Sequence, residues 1–265
     1  MPPELALIIG LLGLVVGSFL NVAVSRVPAG RSVVRPRSAC PRCATPIAAR
    51  DNIPLVSWLL LGGRCRACRA PIPVRYPLLE ALTAILFLAE ALRFGRSEML
   101  PAALVFTAGL LALAACDAEQ FLLPRRLIYP TLWLTAGCLL AAAAVTGQWH
   151  RLGVTAACGV GAFAVFLALH RVRPAWLGFG DVRLAGLLGT GLGWLGPWYL
   201  VFALLAGSAA GLLVGLVLMA AGRATRRTRL PFGMFLAAGA VAALLVGAPV
   251  VHWYESVSGL YATAG

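Results

Sequence analysis

Two aspartates and four cysteines are the residues of this chain whose types and positions can carry chemistry. Asp117 closes the apolar run LVFTAGLLALAAC, and Asp181 follows Gly178-Phe179-Gly180 just before another apolar segment. A carboxylate at membrane depth costs about 2.5 to 3.5 kcal/mol on insertion scales, so each is a functional candidate by default. Two aspartates close enough to share a proton supply one acid and one base, the pair that activates a water and protonates the leaving amine in aspartic proteolysis. Gly178 and Gly180 let the backbone depart from helix and let an extended substrate approach the carboxylate. The bland reading of either aspartate alone is a snorkelling or topological charge. Glu4, Asp51, Glu90, Glu98 and Glu255 read as loop or helix-end charges. Glu119 lies two residues from Asp117, a spacing that turns it to another helix face or leaves it in the loop.

The cysteines form two knuckles, Cys40-Pro41-Arg42-Cys43 and Cys65-Arg66-Ala67-Cys68, separated by a little more than the usual zinc-ribbon interval. Four thiolates near a tetrahedron suit structural zinc, and adjacent arginines favour the thiolate forms. Two disulfides or free thiols are the alternatives, and a cytoplasmic location disfavours lasting disulfides. Cys116, Cys138 and Cys158 lie in apolar runs without partners at ligand spacing and read as small buried hydrophobes.

Lipid must be the solvent for the elements that position these groups. With 61% hydrophobic and only 12% charged residues, the chain has more apolar side chain than a soluble domain of 265 residues can bury. Spanning helices need about 20 apolar residues, and the hydrophobic runs predict spans near 5–24, 77–93, 101–117, 127–146, 152–170, 182–194, 197–221 and 232–250. The expected fold is an all-α polytopic membrane bundle of about eight helices. The short span 182–194, rich in glycine, leaves seven as the other count. The first run lacks a basic leader and a cleavage site, so it reads as a retained helix. Strand alternation is missing, which disfavours a β-barrel. The chain divides into a first helix (1–25), a polar cysteine-bearing module (26–76) and a helical bundle (77–265). The module, with few large aliphatics, needs a staple to fold. The only repetition noted is small residues four apart, such as Gly13/Gly17 and Gly207/Gly211/Gly215, which permit close helix approach.

The formal charge of +13 is entirely arginine. Of the 22 basic residues only Arg93, Arg96 and Arg151 fall in one set of loops; all the others, Arg226 and Arg227 among them, fall in the opposite set. This is the positive-inside asymmetry. It predicts a cytoplasmic cysteine module, with both aspartates at cytoplasmic helix ends, and argues against nucleic-acid binding.

Gly17-Ser18-Phe19-Leu20-Asn21-Val22, the two knuckles, Asp51-Asn52-Ile53-Pro54, Gly63-Arg64-Cys65-Arg66, Arg75-Tyr76-Pro77 with Glu80, and Gly178-Phe179-Gly180-Asp181 occur in that order. This ordered set resembles the bacterial prepilin peptidases. The resemblance implies a GxGD-type aspartic protease of the bacterial inner membrane, with catalytic Asp117, ahead of Leu123-Pro124, and Asp181. It implies type IV prepilins or pseudopilins as substrates, cleaved on the cytoplasmic side after a glycine. It also implies N-methylation of the new terminus from S-adenosylmethionine. Asn21 and Glu80 are candidate site residues for substrate or cofactor, with helix capping or packing as the alternative. Arg125 stands where the family often has Asp, Arg183 replaces a frequent Lys, and Met234 in Pro231-Phe232-Gly233-Met234-Phe235 stands where a second Pro is usual. Arg125 is expected to favour ionised Asp117 if it points that way.

A proton- or cation-coupled transporter would explain the paired carboxylates but not the cysteine module. A non-catalytic protein that docks pilins would explain the module but leave the aspartates without a role. Only the protease reading predicts a shortened product from a prepilin.

Overall fold

The structure is a computed structural model that describes residues 2–174, 177–225 and 228–258. Arg226 and Arg227, counted above on the basic side, lie outside the described residues. The chain forms two compact units, Met1–Arg96 and Ser97–Gly265.

In the first unit, α1 (Pro3–Arg26) packs on α3 (Arg75–Phe94). A Cβ on Gly13 would lie 2.7 Å from Ala84 Cα, and one on Gly17 would lie 2.7 Å from Glu80 Cα. These pairings run in opposite senses, so the helices are antiparallel and touch backbone to backbone, as small residues four apart allow. Between them the module carries a 3-10 turn (Ala49–Asp51) and the short α2 (Val56–Leu60).

The second unit contains α4 (Leu100–Gln120), α5 (Arg125–Thr146), α6 (Trp149–Val172), α7 (Phe179–Gly193), α8 (Pro197–Ala220) and α9 (Phe232–Ser258). Its centre is α7, which packs against α4, α5, α6, α8 and α9 and fully buries Val182, Leu184, Ala185, Leu187, Leu188 and Leu192. The glycines explain how so many neighbours fit. Added methyls on Gly189 and Gly193 would collide with the α6 backbone, and one on Gly191 with the Phe106 ring of α4.

Among the described residues six helices, α1, α4, α5, α6, α8 and α9, are long and apolar enough to cross a membrane. The chain is thus an all-α, multi-span membrane bundle with a four-cysteine cluster. The two other expected spans coincide with α3, which carries Glu80 and Glu90, and with the 15-residue α7. At 1.5 Å per residue α7 is about 22 Å long, less than the hydrocarbon thickness. Outer faces of the helices are themselves apolar: Trp133, Val160 and Leu212 are all exposed. Water would penalise that surface, and lipid does not.

Candidate active site

Asp117 lies in the last turn of α4, buried, where Phe121 in the left-handed conformation closes the helix. Its Oδ2 accepts a hydrogen bond of 2.9 Å from the Met234 N–H in the first turn of α9. The first N–H groups of a helix have no intrahelical acceptor, so a carboxylate from another helix satisfies one of them and meets the positive end of the dipole. Gly233 beside it has no side chain to keep Asp117 away: a Cβ there would stand 3.1 Å from Oδ2.

Asp181 lies in the first turn of α7 and caps its own helix. The Gly178 N–H donates to Asp181 Oδ2 at 3.2 Å, and the Asp181 N–H donates to the Gly178 carbonyl at 3.1 Å. Gly178 is the extended N-cap, while Gly180 is already helical. The glycines therefore differ in what they do. Gly178 lets the chain enter the helix, and Gly180 lets α7 approach Leu123, whose Cβ would lie 3.0 Å from an added methyl.

Leu123 ties the two halves together. The same side chain packs against Gly180 beside Asp181 and against Gly233 beside Asp117, and the two carboxylates lie within electrostatic range of each other. The structure thus brings Asp117 and Asp181 to one locality, Asp181 in the first turn of α7 and Asp117, from the last turn of α4, against the first turn of α9. Arg125 is exposed at the start of α5 and is not among the partners of Asp117.

The four cysteines converge as well. Their Sγ atoms all lie within 4.8 Å of one another, and Cys40 and Cys68 are 3.7 Å apart. Metal–sulfur bonds of about 2.3 Å on a tetrahedron require sulfur separations of about 3.8 Å, so the quartet fits a tetrahedral ion. The knuckles are built alike. In each, the first cysteine N–H donates across the turn, Cys40 to the Thr45 carbonyl and Cys65 to that of Ala70. In each, the residue after the second cysteine, Ala44 or Arg69, takes a positive φ. This is a C-x2-C-x2-P-I repeat, Cys40 to Ile47 and Cys65 to Ile72, that the hydropathy reading overlooked. The interval between the knuckles is long because it contains the 3-10 turn and α2.

Hydrogen bonds from the Thr45 hydroxyl and N–H bring the Cys43 thiol down to about 6, and the N–H groups of Cys68 and Ala67 lower that of Cys65. The Ala70 N–H favours the Cys68 thiolate, but desolvation and the neighbouring sulfurs outweigh it and push that thiol up to about 11. The local hydrogen bonds thus favour the thiolate forms of Cys43 and Cys65. Asp51, read as a mere loop charge, clips the second knuckle to the 3-10 turn through Arg66 (2.6 Å), which holds its carboxyl below the usual range.

Asn21 and Glu80 are buried. Asn21 Nδ2 donates to the carbonyls of Gly17 (3.3 Å) and Tyr76 (3.1 Å), tying α1 to the start of α3. Glu80 Oε2 accepts the Leu55 N–H at 2.8 Å and anchors a residue with φ of +59°. Glu90, read as a helix-end charge, is fully buried within α3. Cys116 is buried, whereas Cys138 and Cys158 are only partly so.

Residues 11–94 match the Bacterial Peptidase A24 N-terminal domain, and residues 104–246 match the Type IV leader peptidase family. Among similar proteins is a prepilin leader peptidase/N-methyltransferase of Myxococcus xanthus, 42% identical over 85% of this chain and 67% of its own length. Proteins with that name from Aeromonas hydrophila and Pseudomonas aeruginosa are each 36% identical, covering 92% and 94% of this chain and 91% and 93% of their own. No solved structure matches. The matched segments contain both aspartates and all four knuckle cysteines, and the chain belongs to the type IV leader peptidase family.

Proposed function

We propose that this protein cleaves the leader from type IV prepilins or pseudopilins at the cytoplasmic face of the bacterial inner membrane, with Asp117 and Asp181 as the acid–base pair. The observation that carries this reading is the meeting of the two carboxylates around Leu123, at the N-termini of α7 and α9, in a chain of this family. One aspartate, ionised, takes a proton from water as the oxygen attacks the scissile carbonyl carbon. The other, protonated, gives its proton to the leaving amine as the C–N bond breaks. Gly178 and Gly180 add no side chains of their own beside Asp181.

In this reading eight helices span the membrane, α3 and α7 among them, and the module bounded by 26–76 is cytoplasmic, as the arginine asymmetry requires. Cys40, Cys43, Cys65 and Cys68 hold a structural Zn2+, which supplies rigidity and no chemistry at the scissile bond. N-methylation of the new terminus from S-adenosylmethionine accompanies cleavage. Asn21 and Glu80 are buried and hydrogen-bonded within the first unit through Nδ2 and Oε2, with the Asn21 Oδ1 acceptor unpartnered among the described residues. They act as positioning residues for the module.

The test is incubation of purified protein with a prepilin. Asp117→Asn and Asp181→Asn should each lower cleavage by about 10^2 to 10^4-fold, the usual loss for a general acid or base, while insertion and expression hold. Full cleavage by either variant would overturn the pair.

A further inference from the structure

A groove opens on the second unit where α5 and α6 splay apart over α7. Its cavity is about 380 Å³, lined by apolar side chains with Tyr129 and Trp133 on the α5 wall and Arg183 of α7 as its charged residue. Along α6 it reaches from Leu152 to Phe163, about 16 Å at the helical rise. That is the depth of one leaflet, half of a hydrocarbon core about 30 Å thick. A long slot lined mainly by apolar side chains suits an extended hydrocarbon chain.

Its two ends differ in charge. Methyls on Gly193 and Gly186 would meet Thr155 and Phe163, so α7 runs antiparallel to α6 and Arg183 lies toward the C-terminal end of α6. The same end holds Arg171, together with Arg125 and Arg126 at the start of α5, all exposed. The stretch from Arg125 to Val172 contains no Asp or Glu, and Asp117 and Asp181 of the candidate active site flank it in sequence. The Arg183 guanidinium stacks 4.4 Å from the Phe179 ring centre, and its Nε is buried without a hydrogen-bond partner among the described residues. An arginine held flat by an aromatic face, with donors still to satisfy, suits a phosphate.

We propose that this groove binds an anionic glycerophospholipid, one acyl chain lying between α5 and α6 and the headgroup phosphate at Arg183. The test is native mass spectrometry of the full chain titrated with phosphatidylglycerol and with phosphatidylcholine. Wild-type protein should favour phosphatidylglycerol by about fivefold, the effect of one arginine near an anionic surface. Arg183→Gln should lower the preference, the other arginines at this end remaining, and Arg183→Lys should keep more of it. Ala156→Phe, which fills the slot without changing charge, should weaken both lipids alike. Equal affinity of wild-type protein for the two lipids, or a preference undiminished in Arg183→Gln, would overturn the headgroup assignment. Undiminished binding by Ala156→Phe, or complete displacement by inorganic phosphate, would overturn the acyl slot. A photoreactive residue in place of Val160, used in phosphatidylglycerol vesicles that contain prepilin, separates lipid from substrate. Adducts to phosphatidylglycerol sustain the proposal; adducts to the apolar segment of prepilin in its place defeat it.

Discussion

Asp117, Asp181 and Glu80 each satisfy a backbone N–H that would otherwise be stranded, although only the first two are proposed to touch substrate. Glu80 shows what the purely structural version of this role is worth. Its Oε2 accepts from Leu55, whose φ of +59° and ψ of −51° suit few residues with a Cβ. A hydrogen bond to a charged group contributes about 1.5 to 3 kcal/mol, so Glu80→Ala should loosen the 52–60 segment by that amount. Limited proteolysis should cut this segment faster in the variant, with the 77–265 fragment as resistant as before; equal cutting rates would mean that Leu55 does not need Glu80. The two aspartates were legible from sequence because carboxylates beside long apolar runs are costly and rare. The partner of Asp117 was not, since Met234 is 117 residues away and contributes only its backbone N–H. Glu90 was misread for a related reason: its position near the end of α3 predicts exposure, and only packing against its neighbours decides that it is buried.

At the scale of elements, short glycine-bearing helix starts and a knuckled loop do the positioning. The first turn of α9 approaches Asp117 only because residue 233 is glycine; an added methyl would stand 2.9 and 3.0 Å from the Leu123 Cδ atoms and 3.1 Å from the carboxylate. Gly233→Ala should therefore lower kcat about tenfold or more by displacing Asp117, one of the proposed acid–base pair. Leu123→Ala in the same chain should recover part of the loss, because two of the three crowding atoms are then gone; no recovery would show that the Asp117 contact alone is at fault. The quartet makes a second element-level prediction. Wild-type protein should carry about one equivalent of zinc per chain, and Cys40→Ser/Cys43→Ser protein should lack it and be more open to proteolysis in the module, as expected where metal binding is coupled to folding. Undiminished zinc would place the ligands elsewhere. Acid should act in the same direction. Protons compete with a metal for all four thiolates, so zinc loss should increase as pH falls, which metal analysis after dialysis at a series of pH values would follow. The quartet itself was readable from its spacing, whereas the twofold likeness of the knuckles was obscured by α2 inserted between them. The short α7 illustrates the opposite case. Its glycines predicted a weak span, yet they make it the most enclosed helix of its unit.

The whole molecule separates its chemistry by unit. The four knuckle cysteines, Asn21 and Glu80 belong to Met1–Arg96, and both aspartates with Leu123 and Gly233 belong to Ser97–Gly265. Hydropathy made the multi-span class plain at this scale, but it did not show the boundary near residue 96, because compactness depends on which helices touch and not on how apolar each one is. The division bears on the two activities in the name of the relatives. Peptide hydrolysis needs a proton shuttle, whereas methyl transfer needs a neutral amine held in line with the methyl donor, so the aspartates have no obligatory part in it. A pilin already cut, with a free N-terminal Phe, should therefore be methylated by Asp181→Asn protein given S-adenosylmethionine. Mass spectrometry should find a gain of about 14 Da, one CH2 unit, on that terminus. Wild-type protein that cleaves prepilin yet gives no such gain would make this enzyme a peptidase alone. Methylation by wild type and none by the variant would show the two activities coupled through Asp181.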